Sequence, residues 1–227
     1  MLKLYIGSKN YSSWSLRPWL LMRQTGIAFD EVVVRFDSFA ADSQFKRTLQ
    51  GISPTGKVPV LVDGDRVVWD TLAIAETLAE QYPDKQLWPQ DAHARAQARS
   101  VVAEMHSGFT ALRSACPQNI EAQLPDTGAL LWRDQPAVRA DVARLVEMWS
   151  ALLAQHGGPM LLGDFSIADA FFAPVCMRLV TYALPVPAHI GAYIDRVRAL
   201  PAMQDWIAGA LAEQDFRAFE EPYRLQR

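Results

Sequence analysis

Cysteine is scarce: the 227 residues contain only Cys116 and Cys176, far apart and in no C-x-x-C pair. That leaves no disulfide framework and fits a reduced, cytoplasmic setting in which both thiols are structural. Histidine is almost as rare, at positions 93, 106, 156 and 189, and no two share the i,i+4 spacing of a helical metal site. No metal is expected. Positive charge is not in surplus either, since the net charge of −3 offers no field to nucleic acid or to an anionic membrane surface. Apolar runs such as "AFFAPV" fall far short of the ~18 residues that a membrane span requires. The opening "MLKLYIGSKN" lacks the apolar stretch of a secretory leader and reads as a first strand. What the chain does have is apolar residues at half its positions, enough for a sizeable core in one or two domains.

The two halves of the chain follow different patterns. In residues 1–82, "LKLYI" and "FDEVVVRF" read as strands, and "WSLRPWLLMRQTG" has helical spacing that stops at Gly26. "SQFKRTLQ" is a short helix, "VPVLV" and "RVVW" flank the turn "DGD" as a hairpin, and "DTLAIAETLAEQY" begins a helix at Asp70 or Thr71. The order β-α-β-α-β-β-α is the layout of a thioredoxin-like domain. Residues 83–91, with two prolines and several polar groups, read as a linker. From 92 to 227 strand signals nearly vanish, and the chain is expected to form an all-helical bundle. One long helix is expected over "HARAQARSVVAEMHSGFTALRSAC", ending at Pro117, and another over "AVRADVARLVEMWSALLAQH". "SIADAFFAPVCMRLVTY", "IGAYIDRVRAL" and "AMQDWIAGAL" follow as shorter helices.

Three stretches of the first half carry chemistry. In "SPTGKVPVL", Pro59 cannot donate to a strand ladder, so it belongs at a strand's first position or edge. A cis bond there would turn the backbone of Val58 outward, leaving its N–H and C=O to an extended ligand; an ordinary trans turn is the plainer alternative. In "WDTLAIAETL", Asp70 and Thr71 are both good helix caps, and the same helix start can collect an anion. In "NYSSWSLRPW", Pro18 fits best within the first turn of a helix, which puts the cap near Trp14 or Ser15 and leaves Ser12 and Ser13 in the preceding loop. No base accompanies these serines. They serve as hydrogen-bond donors at a positive helix end, or simply as caps.

Taken in this order, "SSWSLR", "GKVPVL" and "DTLAI", together with the S-x-x-D box in "SIADAFFAP", resemble the glutathione transferase family across the whole chain. The box, Ser166 and Asp169, is a folding device. The resemblance implies a thioredoxin-like domain that binds glutathione, followed by a helical domain, with glutathione as co-substrate and no metal. It implies that the backbone of Val58 before a cis Pro59 pairs with the cysteinyl part, and that Asp70 and Thr71 hold the γ-glutamyl end in place of the usual Glu-Ser. Lys57 would meet the glycyl carboxylate, or else remain a solvated surface lysine. The serine stretch is most similar to the zeta and theta-type pattern S-S-C-x-x-R, with Trp14 in the place of the cysteine. Ser12 then points at the glutathione sulfur, Ser13 is the alternative donor, and Tyr11 is a rival.

A free thiol titrates near 8.5, and lowering that by about two units takes ~2.7 kcal/mol, within reach of one charge-assisted hydrogen bond aided by a helix dipole. The small electrophile is expected between the halves, against Trp14 and against Met105, His106, Phe109 and Arg113 of the first long helix, although residues such as Met105 and Phe109 are more often plain core. Conjugation is the default reaction. Isomerisation of a maleyl-type diacid is the second reading, and a non-enzymatic binding or regulatory protein on the same fold is the third. A cysteine-based thiol transferase is disfavoured because the first half has no cysteine. By resemblance the protein is a homodimer.

Overall fold

The apolar residues of "LKLYI" alternate inward, with Leu4 and Ile6 completely buried, and so begin a four-stranded sheet. In the computed structural model, which describes residues 1–227, the first half comprises β1 (Lys3–Ile6), α1 (Ser13–Gln24), β2 (Asp30–Val33), α2 (Gln44–Leu49), β3 (Val60–Asp63), β4 (Arg66–Trp69) and α3 (Thr71–Gln81). The strand order is β2-β1-β3-β4. β1 runs parallel to β2 with Lys3 opposite Asp30, and antiparallel to β3 with Lys3 opposite Val62. The hairpin of β3 and β4 turns at Gly64, whose φ of +59° lies in the left-handed region that glycine adopts without strain. This is the thioredoxin-like layout expected from the strand and helix signals.

A 3-10 turn, Pro83–Lys85, leads to the helical half. There α4 (Ala92–Ser107), α5 (Thr110–Ala115), α6 (Pro125–Asp134), α7 (Pro136–His156), α8 (Ile167–Thr181), α9 (Ala188–Ala199) and α10 (Pro201–Glu213) precede a last 3-10 turn, Ala218–Glu220. Every residue of helix α8 except Val180 is buried, as a helix apolar on nearly all its faces must be, and α1 packs directly on it. One continuous core therefore runs from Leu4 and Leu20 of the first half to Phe171, Phe172 and Trp206 of the second. A smaller apolar cluster, Tyr11, Val34, Phe36, Phe45 and Leu49, stands apart beneath the segment between β2 and α2.

Three local expectations need correction. The long helix foreseen from His93 to Cys116 is two helices. Gly108 closes α4 in extended backbone, donating to the carbonyl of Glu104, and Phe109 adopts φ +53° before α5 begins. Asp141 of α7 accepts the Leu112 N–H of α5 and so holds the new helix start. Helix α1 begins at Ser13 with Ser12 as its cap, earlier than Pro18 suggested. Pro18 lies in the second turn, where it forgoes only the bond that the Trp14 carbonyl would have received. Helix α6 was not anticipated at all. It starts on Pro125, and at Gly128 it passes so close to the Tyr182 carbonyl that no side chain would fit between them.

Candidate active site

Two helix starts and the approach to one inner strand, β3, meet at one end of the sheet. Val58-Pro59 is a cis peptide just before β3, and neither the N–H nor the C=O of Val58 bonds to another backbone group. Beside it, Asp70 caps α3 by accepting the Leu72 N–H at 2.8 Å, from a backbone φ of +74° that a non-glycine residue rarely adopts. The Thr71 hydroxyl is buried and has no partner. Val58, Pro59, Asp70 and Thr71, with Lys57, Thr55, Trp14 and Trp69, line a cavity of about 420 Å³.

A second cavity, of about 410 Å³, adjoins it across Trp14, Lys57 and Val58. Ser12 and Ser13 line this one. The Ser12 hydroxyl donates to Ser15 Oγ at 2.7 Å and accepts the Ser15 N–H at 3.4 Å, so its proton is already engaged. Ser15 in turn accepts the Gly7 N–H. Ser13, the first residue of α1, has no such engagement. Tyr11 also lines the cavity, but its phenol donates to Glu221 Oε1 at 2.7 Å. Burial, and then that bond, push the Tyr11 phenol up to about 12, which keeps it protonated.

The apolar wall of the second cavity is Phe36, Phe39 and Phe45, and its opposite wall is cationic. Arg113 and Arg178 line it, and neither has a carboxylate partner. Burial lowers the Arg178 guanidinium to about 10, which still leaves it charged. Arg17 is buried behind Trp14, its guanidinium carbon 4.2 Å from the ring centroid, while that of Arg113 lies 4.9 Å from the same ring. Burial, with the neighbouring arginines, lowers Arg17 to about 9. Gln118 is buried with both side-chain polar atoms unpartnered. Two arginines and an unsatisfied amide, with Arg17 a third cation behind Trp14, make this wall a receiver of negative charge.

His106 and Phe109 are not among the residues that line the cavities. His106 Nε2 lies 3.4 Å from Asp70 Oδ2 and its ring meets Trp14 edge-on, so it braces the α3 start from α4. Burial lowers its pKa, against the pull of Asp70. Phe109 points into the main core, as does Met105. Both cysteines are free and buried, Cys116 being pushed up to about 12 by burial, so neither is a nucleophile. Arg178, Gln118 and Glu220 were missed by sequence reasoning. An arginine inside the apolar run "AFFAPVCMRLVTY" was a usable signal; Gln118 and Glu220 carried none.

A thioredoxin-like half with the backbone of Val58 left open before a cis-proline, joined to a helical half, defines the class of protein. The chain matches the family model Glutathione S-transferase, N-terminal domain, over residues 11–81 and Glutathione S-transferase, C-terminal domain, over 90–209. It is 33% identical to Glutathione S-transferase Z1 of Arabidopsis thaliana over 218 residues, 90% of either chain. It is 30% identical to a probable maleylacetoacetate isomerase of Caenorhabditis elegans over 174 residues, 76% of each. Among solved structures, a glutathione transferase homolog from Burkholderia gl BGR1 with bound glutathione superposes with a TM-score of 0.71 at 25% identity, covering 93% of this chain and 98% of that one. The chain belongs to the glutathione S-transferase family.

Proposed function

We propose that this protein is a glutathione transferase that activates the thiol of glutathione and directs it at a small electrophile. The observation that carries the reading is the buried, unpartnered Thr71 hydroxyl in the same groove as the free N–H and C=O of Val58. A buried hydroxyl without a partner is unfavourable unless a ligand satisfies it. A γ-glutamyl carboxylate at the α3 start, a cysteinyl main chain on Val58 and a glycyl carboxylate at Lys57 would satisfy this set, with the Asp70 carboxylate beside the ligand ammonium. The sulfur would then lie by the start of α1. Because the Ser12 proton is spent on Ser15, Ser13 is the donor to the thiolate, with Ser12 holding the turn. Trp14 and Arg113 would face the electrophile.

The test is a titration with glutathione followed by thiolate absorbance, in the parent and in Ser13→Ala. A bound thiol titrating well below 8.5 in the parent, and higher in the variant, supports the transferase. Binding without that shift favours a non-enzymatic carrier, and absence of binding favours a regulatory partner. A second reading, isomerisation of a maleyl-type diacid by reversible thiolate addition, is favoured by Arg113, Arg178 and Gln118 on one wall. Conversion of a maleyl diacid to its fumaryl isomer only when glutathione is present, followed by proton NMR, would select it. The protein is further read as a cytoplasmic homodimer, with the first domain of one subunit against the helical domain of the other. Sedimentation at twice the chain mass of 25.4 kDa would bear on the assembly.

A further inference from the structure

The C-terminal tail delivers one carboxyl group to the electrophile cavity. Glu220, on the last 3-10 turn, is the only acidic residue on its lining, and its carboxyl makes no hydrogen bond or ion pair within the protein. The tail is fastened on both sides of it. Glu221 is buried and receives Tyr11 Oη at 2.7 Å, Asn119 Nδ2 at 2.9 Å and Arg224 Nε at 2.8 Å. Phe219 meets Phe39 edge-to-face with ring centroids 5.2 Å apart. A side chain so placed faces the cavity because its neighbours are held, without spending its own polar atoms.

We propose that Glu220 is the general acid of the addition reaction. This rests on the transferase reading, with the thiolate as nucleophile. When the sulfur bonds to one carbon of an activated double bond, the π pair moves to the adjacent carbon. That carbon takes the proton of the Glu220 carboxyl, and the carboxylate recovers one from water. The titratable and charged groups that share this cavity with the carboxyl are Tyr11 before α1, Lys46 of α2, Lys57 before β3, Arg113 of α5 and Arg178 of α8, and none of them pairs with it. The neighbouring charge is Glu221. Burial first, then that negative neighbour, push Glu220 up to about 7, so a proton is available at neutral pH.

Two probes separate this role from support of the fold. Benzylideneacetone, an aryl enone, needs a proton after thiolate attack, whereas chlorodinitrobenzene loses chloride with the bond pair and needs none. In the full chain, Glu220→Gln is expected to lower kcat with the enone by about 100-fold, at the low end of general-acid effects, and to leave chlorodinitrobenzene turnover within ~3-fold. The parent's enone rate should fall above about pH 7; Glu220→Gln should lose that fall, and Glu220→Asp, which keeps an acid, should retain it. An equal drop with both probes, or an unchanged enone rate, overturns the proposal. So does a parent that forms the glutathione thiolate yet ignores the enone. A parent that forms no thiolate at all overturns the transferase reading instead, and the proposal with it.

Discussion

Helices α1 and α8 both start on a serine cap, yet they end up with opposite openness. At α8, Ser166 accepts the Ala168 N–H, while Asp169 accepts the N–H groups of Ser166 and Leu161 and the Tyr193 hydroxyl. The Ile167 N–H goes to the Leu87 carbonyl. Every donor is absorbed, and the box lies in the core. At α1 the residue three beyond the cap is Ser15, not an acid. The Ser12 hydroxyl turns back on it, and the Trp14 N–H has no backbone acceptor. A cap closed by a carboxylate supports folding. One closed by a hydroxyl leaves dipole and donors for an anion.

The strongest way to break the comparison is Asp169→Ala. It strands several buried donors, each costing about 1–3 kcal/mol, so urea unfolding should show a loss of ~3 kcal/mol or more. A loss below about 1 kcal/mol would deny α8 its folding role. Ser13→Ala should leave unfolding within ~0.5 kcal/mol of the parent while raising the titration point of bound glutathione thiol by about one unit or more, read by absorbance. Thr71→Val removes only the orphan hydroxyl. Calorimetry should find glutathione bound about tenfold more weakly, and the melting temperature equal or higher. Ser12→Ala tests the cap itself. About 1 kcal/mol of stability should go while a lowered thiol pKa survives, and an abolished thiolate would make Ser12 the donor instead.

The smallest effect is a pH dependence. Glu220 is raised in the folded chain, so its share of stability is present below the ordinary carboxyl value near 4.5 and fades as pH rises through about 7. Unfolding followed across that window should show a shallower slope in Glu220→Gln than in the parent. Equal slopes would mean that the tail carboxyl is solvated.

Much of the site was legible because its signals are local. Val58-Pro59 before an apolar run, Asp70-Thr71 before a helical period and a serine pair before another each declare backbone geometry within a few residues. Where reading failed, the deciding partner was distant. His106 and Phe109 share helical spacing on paper, but Gly108 splits the helix between them. His106 turns to Asp70 across the domains, and Phe109 goes into the core. Arg178 is positioned by the Cys116 carbonyl, 62 residues away in sequence. Glu220 reaches the cavity because distant groups hold its neighbours, Tyr11 gripping Glu221 across 210 residues and Phe39 meeting Phe219.

The order of strands and helices in the first half, the proline at the start of β3 and the caps at Asp70 and Ser166 were determined by the sequence itself, since propensity, turn chemistry and end effects act over a turn or two of chain. Which hydroxyl stays free, which arginines gather without acids and which carboxyl faces the cavity were decided by tertiary packing. Burial and charge depend on neighbours that only the folded chain brings together.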